Sequence, residues 1–207
     1  MKTFDEVVNF HGHSCPGLAL GYRVAIAAMK EMKMDEMSED EEIVAIVEND
    51  SCAVDAVQVI TGCTFGKGNL IFRDYGKQAY TFLKRPSGDA VRISIDFQPP
   101  AETEAEMEMW KRYSEGDRSK EVLNAVHNRK TKKIQLILNS PDSELLKIKK
   151  MKLELPPEAE IYTSLRCEKC GEKVAEPKAR IKSGMTVCIP CFMEQGSAFE
   201  RLCPKGI

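Results

Sequence analysis

The period of the apolar positions changes several times along the chain, and each change predicts an element. Leu18 to Met32 is apolar around most of a helical circumference, which predicts a buried helix. Pro16 stands where that helix opens, because the missing N–H of proline costs nothing at a first helical position. Ile43 to Val47 is a short β-branched run and reads as a buried strand. Ala53 to Ile60 reads as a helix with Asp55 and Gln58 three positions apart, and Gly62 is its stop. Leu70 to Arg73 and Gln78 to Leu83 read as strands. Val91, Ile93, Ile95 and Phe97 alternate with Arg92, Ser94 and Asp96, the pattern of a half-buried strand. Pro86, Ser87 and Gly88 supply the turn before it. Pro99 and Pro100 close the sheet portion. Glu102 to Tyr113 and Lys120 to Leu138 are charged and helical in pattern. Met151, Leu153 and Leu155 alternate again and mark a late strand, and Pro156-Pro157 reads as a stiff linker. The charged run from Ser38 to Glu42 reads as a solvated turn.

These elements sum to an α+β domain over residues 1–157, with a mixed or antiparallel sheet packed with helices. A small C-terminal zinc-binding module over residues 158–207 follows it. The 207 residues suffice for one domain with a core and a small appendage. Apolar content of 43 % and charged content of 30 % are ordinary for a soluble globular chain. A net charge of −2 gives no bulk attraction for nucleic acid. The longest apolar stretch, Val24 to Met29, is too short to span a bilayer, so no membrane partner is expected. Met1 to Phe10 carries Lys2, Asp5 and Glu6 and has no apolar secretory region, so the expected location is cytoplasmic. Eight cysteines in a cytoplasmic chain point to metal or thiol chemistry more than to disulfides.

Four of them form two C-x-x-C pairs, Cys167/Cys170 and Cys188/Cys191, with 17 residues between the pairs. Each pair can present two thiolates to one ion, and four thiolates suit tetrahedral zinc. A closed site of four cysteines is structural, because no ligand position is left open. Gly171 allows the tight knuckle after the first pair. A helix is expected to start near Cys191 and to run through Phe192, Met193 and Phe199. About forty residues cannot hold a core alone, so the metal supplies the folding energy. Cys203 lies outside the spacing and reads as a reduced surface thiol.

The second cluster is His11-Gly-His13-Ser-Cys15-Pro16-Gly17, which holds two of the three histidines. In an extended segment His11, His13 and Cys15 point the same way. The following helix N-terminus favours thiolate character at Cys15. Cys52 and Cys63 follow. On a helix Asp55 shares a face with Cys52, as a ligand or as a hydrogen-bond acceptor for an imidazole. On one continuous helix Cys52 and Cys63 stand roughly 16 Å apart, too far for one ion. Either the chain bends at Gly62 or only one of the two joins a given site. Mixed His/Cys ligation suits zinc, nickel or iron, and fewer than four protein ligands leave a position for water or substrate.

Gly66-Lys67-Gly68-Asn69 is a weaker feature. Its glycines can turn backbone N–H groups toward an anionic cofactor group and Lys67 adds charge. A turn between helix and strand explains it equally well. His127, in a helix rich in Asn, Arg and Lys, reads as a surface residue.

The stretch Phe10–Gly21 with its His-Gly-His-Ser-Cys-Pro-Gly core, the stretch Glu48–Asn69 and its continuation Leu70–Lys77 resemble the FmdE family, named for the FmdE component of formylmethanofuran dehydrogenase. The four-cysteine tail is similar to the zinc-ribbon-like tail of many members. The resemblance implies an α+β core, a tendency to dimerise, and occurrence in anaerobic archaea and bacteria, methanogens among them. It also implies a metal-binding active site at His11, His13, Cys15, Cys52 and Cys63. It does not imply dehydrogenase activity, since the chain has no molybdopterin-binding or iron–sulfur signature.

Two classes of function follow. In the enzyme reading a second metal, Zn, Ni or Fe, sits in the core and activates a water or a small one-carbon substrate. His13, Cys15 and Cys52 are then the favoured ligands, with His11, Cys63 and Asp55 in support, and Cys15 or Cys52 is the catalytic thiol. In the alternative the chain is a non-catalytic accessory subunit, or a metal or cofactor delivery factor, of a molybdenum or tungsten formylmethanofuran dehydrogenase-type complex. Its zinc finger then serves interaction. Contact with nucleic acid or the transcription machinery through Lys169, Lys173, Lys178, Arg180 and Lys182 is a third reading, for which no base-reading helix is evident.

Overall fold

The computed structural model describes residues 1–193. The chain divides into two compact units, one over Met1–Ala159 and the other from Glu160 onward. Phe199 and Cys203 lie outside the described residues.

The first unit begins with a helix that the apolar pattern does not announce, α1 (Phe4–His11). Its cause is local. Thr3 and Glu6 form a capping box that satisfies two orphan amides reciprocally. α2 (Pro16–Glu31) opens on Pro16 as expected, with Cys15 as its N-cap. β1 (Ile43–Val47) is followed by α3 (Ala53–Thr61), which stops at Gly62 in the left-handed conformation. β2 (Leu70–Phe72), β3 (Ala79–Lys84) and β4 (Asp89–Ile95) follow, then α4 (Glu104–Ser114), α5 (Lys120–Asn139), α6 (Asp142–Leu145) and β5 (Leu146–Lys152).

The strands form one mixed sheet in the order β2-β1-β3-β4-β5. β1 and β2 run parallel, joined through α3, and every other pairing is antiparallel. Pro99 and Pro100 therefore do not end the sheet. The chain leaves after β4, builds α4 and α5, and returns as the edge strand β5, paired Ile93 to Ile148. This strand ends at Lys152, so Leu153 and Leu155 lie beyond it.

One sheet face carries Ala45, Val47, Tyr80, Phe82, Val91 and Ile93 into the main core. There they meet Leu18, Val24 and Met29 of α2 and Val57 and Ile60 of α3. The opposite face carries the smaller cluster of Val44, Leu83 and Ala90. α2 and α3 approach so closely that a β-carbon at Gly21 would stand 2.3 Å from the Ala53 carbonyl oxygen. Only glycine permits that crossing, and it sets the starts of the two helices side by side. The Ser38 to Glu42 turn is more than a solvated run. Ser38 is buried, its hydroxyl donates to Glu42 at 2.5 Å and accepts from the Ile43 amide, and so delivers the chain into β1.

The second unit consists of two short hairpins, β6 (Ser164–Arg166) with β7 (Lys173–Ala175) and β8 (Arg180–Lys182) with β9 (Met185–Val187). A short helix α7 (Ile189–Met193) follows, starting just before Cys191. Its buried cluster is Cys167, Val187 and Cys188, too few apolar groups to hold it alone. Among the described residues no helix is long and apolar enough to cross a membrane.

Candidate metal centres

In the second unit the thiol groups of Cys167, Cys170, Cys188 and Cys191 all lie within 4.8 Å of one another. Each pair sits at a turn. After the first, Gly171 takes φ 77 and its amide donates to the Cys167 carbonyl at 2.9 Å. The Cys188 amide donates to the Cys167 sulfur at 3.3 Å. Amide donors from Cys170 and Cys188 hold the Cys167 thiol low, at about 6. Burial, reinforced by its thiol neighbours, pushes Cys191 up to about 12. One thiolate is thus favoured before metal arrives, and the other thiols release their protons to solvent as the metal binds. Four clustered thiols suit tetrahedral zinc.

In the first unit His11, His13 and Cys15 also bring one ligand atom each within 4.8 Å of the others. They do so for a reason other than an extended segment. His11 is the last residue of α1, Gly12 follows at φ 89, and Cys15 already caps α2. A helix end and a helix start, joined by a three-residue turn, fold the side chains together, and the left-handed turn requires glycine. The two imidazole centroids are 4.5 Å apart.

Asp55 on α3 orients the cluster. Its Oδ2 lies 2.7 Å from His11 Nδ1, and its Oδ1 accepts from Gln58 at 3.3 Å. A carboxylate only accepts, so in the neutral imidazole Nδ1 carries the proton and Nε2 presents a lone pair. That Nε2 is buried and has no hydrogen-bond partner among the described residues. A buried unmet acceptor is costly, and a cation between His11, His13 and Cys15 satisfies it. The donor set therefore fits a transition metal.

The structure separates the two remaining core cysteines. Cys52, just before α3, is half-buried, and burial first and the neighbouring Cys15 thiol second raise its own thiol above the ordinary range. It stands outside the three-ligand cluster. Cys63, beyond the far end of α3, is fully buried and its sulfur donates to the Ile43 carbonyl at 3.4 Å. Burial raises it to about 11, so it remains a thiol at neutral pH. The Lys67 ammonium binds the carbonyls of Ser38 and Glu39 at 3.0 and 3.2 Å, tying two turns together. His127 is exposed on α5. Sequence reasoning did not find Glu172, whose carboxylate accepts from Cys170 at 3.7 Å, and no sequence signal marks it. For Gln58 the signal was its spacing from Asp55.

The family profile described as "FmdE, Molybdenum formylmethanofuran dehydrogenase operon" matches residues 10–147. A second, "Prokaryotic dksA/traR C4-type zinc finger", matches residues 160–195. A protein of Archaeoglobus fulgidus, described as a probable S-adenosyl-L-methionine-binding protein, is 33 % identical over 190 residues. The match covers 88 % of this chain and 50 % of that protein, so the chain spans half the length of this curated relative. The crystal structure of a tungsten formylmethanofuran dehydrogenase FmdE-like protein from Syntrophus aciditrophicus aligns with a TM-score of 0.59 at 23 % identity. That alignment covers 92 % of each chain and speaks to the fold alone. With both cysteine pairs of its zinc finger and the His-Gly-His-Ser-Cys-Pro-Gly turn inside the matched stretches, the chain belongs to the FmdE family and carries a C4-type zinc finger behind its α+β domain.

Proposed function

We propose that the α+β domain holds a second metal, bound by His11, His13 and Cys15 and open at one coordination position. The observation that carries this reading is the buried, unpartnered Nε2 of His11, presented by the hydrogen bond from Nδ1 to Asp55. Two imidazoles and one thiolate suit zinc, nickel or iron. With three protein ligands the fourth position takes a water or a small one-carbon substrate, which the ion polarises. A cleft of about 450 Å³ opens against Ser14, between Phe4 and Val8 of α1 and Ile134 and Leu138 of α5. Cys52 is the thiol next to the ligands, and Cys63, locked in the core, is left out of the site. The zinc finger is structural and serves interaction. The protein acts in the cytoplasm as a homodimer.

The family description favours a second reading, in which the same site serves an accessory or delivery factor of a molybdenum or tungsten formylmethanofuran dehydrogenase. The name of the archaeal relative adds S-adenosyl-L-methionine as a ligand for titration against the purified protein.

The test is elemental analysis of full-length protein purified without oxygen, as wild type and as Cys15→Ser. Serine is itself a good helix N-cap, so α2 keeps its start. Wild type is expected to carry a transition metal in addition to the finger zinc, and Cys15→Ser only the finger zinc. Equal metal content in both overturns the assignment. Turnover by the isolated protein favours the enzyme, and co-purification with the dehydrogenase favours the accessory role.

A further inference from the structure

We propose that the linker Leu153–Ala159 is a releasable strap. Docked, it closes part of the outer face of the sheet and leaves Glu160–Thr163 as the free tether to the finger. Released, it uncovers that face and frees the whole of Leu153–Thr163.

The Pro-Pro stretch reads in sequence as a spacer, yet its surroundings tie it down along the first unit. The Leu153 amide donates to the Gly88 carbonyl at 3.0 Å, just past the end of β5. Leu155 is half-buried against Val44, Leu83 and Ala90, the cluster on the sheet face opposite the main core. Arg85 Nη2 donates to the carbonyls of Pro156 and Pro157 at 2.8 and 3.1 Å. The Glu41 carboxylate accepts from the Ala159 amide at 3.1 and 3.3 Å and pairs with Arg85 at 3.7 Å. Gly68 lies so close that a β-carbon there would stand 2.7 Å from Ala159 Cβ.

The anchors suit the segment. Proline has no N–H, so Pro156-Pro157 cannot extend the ladder of β5 and offers only carbonyls, which a guanidinium, all donor, can bind. The same anchors make a light hold. The strap lies outside every strand, its anchor in the apolar cluster is Leu155, and Glu154, Pro157, Glu158 and Ala159 are exposed. Docking also leaves Arg85 Nε buried with no hydrogen-bond partner among the described residues. An unmet buried donor is unfavourable until water reaches it, so opening relieves part of what it loses. Few buried apolar contacts and one unmet donor put the strap at the low end of local stability.

Opening changes two things. Val44, Leu83 and Ala90 lose the side chain of Leu155 that shields them. The free chain ahead of β6, fully extended, grows from roughly 17 Å to roughly 40 Å at about 3.4 Å per residue. The strap thereby sets the reach of the finger while the two units stay joined.

Full-length protein with its finger zinc is treated briefly with glutamyl endopeptidase, and the cut sites are read by mass spectrometry. Glu154 and Glu158 lie in the strap, and Glu160 lies beyond it. Wild type is expected to be cut after Glu160 and spared after Glu154 and Glu158. Glu41→Ala removes the acceptor of the Ala159 amide, and Leu155→Ser removes the apolar anchor. Each is expected to raise cleavage after Glu158 about tenfold and to leave cleavage after Glu160 unchanged. Release is read in wild type by hydrogen exchange in urea below the unfolding transition. There the 153–160 peptide is expected to exchange by local opening, well before the peptide of β3. Equal cleavage after Glu158 and Glu160 in wild type overturns docking. Full protection of Glu158 in both variants overturns the anchors, and strap amides that exchange only together with β3 overturn release.

Discussion

His11 shows how much one residue's chemistry depends on its neighbour. Its imidazole is useful to a metal only when the proton sits on Nδ1, and the Asp55 carboxylate at 2.7 Å dictates that tautomer. Removing the carboxylate frees the ring to rotate and to place its proton on either nitrogen. Asp55→Ala is therefore expected to weaken core metal binding about 10–100-fold. Asp55→Asn, which retains an acceptor oxygen, should fall between the two. Competition with a coloured chelator reads the affinity, and an unchanged constant in the alanine variant removes Asp55 from this role. The contrast between Cys15 and Cys63 makes the same point. Both are cysteines in family-like stretches, but one caps a helix beside two imidazoles and the other is buried in the main core against the Ile43 carbonyl.

At the scale of elements, the sheet is tied across strands by one ion pair. Glu48, just past β1, is nearly buried and accepts from both guanidinium nitrogens of Arg92 on β4, which also contacts Thr81 on β3. The Arg92 guanidinium holds the Glu48 carboxyl below the usual carboxylate range, against the opposing effect of burial. The folded value is thus lower than the unfolded one. Its contribution to stability is complete above the ordinary glutamate range and is lost as pH falls through the folded value. Glu48→Gln is expected to lose about 2–3 kcal/mol at neutral pH, because Arg92 is left half-met while still a third exposed. The gap between variant and wild type should close on acidification. Urea titrations at several pH values measure this, and a pH-independent gap would contradict the assignment.

For the whole molecule, the two units draw on different sources of stability. The first has a continuous core between sheet and helices. The second has hairpins of three-residue strands around a few buried groups, so its folding energy comes from the thiolate–metal bonds. Cys188→Ser is accordingly expected to unfold the second unit and spare the first. Limited proteolysis should then cut near Ala159 and leave a resistant fragment. Cooperative loss of both units in one transition would show that they depend on each other.

Period and punctuation in the sequence determined most elements of the first unit, because its strands and buried helices are stretches whose apolar spacing is itself the folding signal. They also determined the finger, since ligand spacing within a turn is local chemistry. α1 escaped because its signal is a capping box, Thr3 with Glu6, and not an apolar stripe. β5 was displaced along the chain because its register belongs to β4. Three matters were decided only by tertiary structure. His11, His13 and Cys15 converge through a helix end meeting a helix start, Asp55 selects the tautomer of neutral His11 across 44 residues of chain, and Cys52 is separated from Cys63 by the length of α3. Each is a distance between positions far apart in sequence, set by the packing of α1, α2 and α3, and no local pattern encodes such a distance.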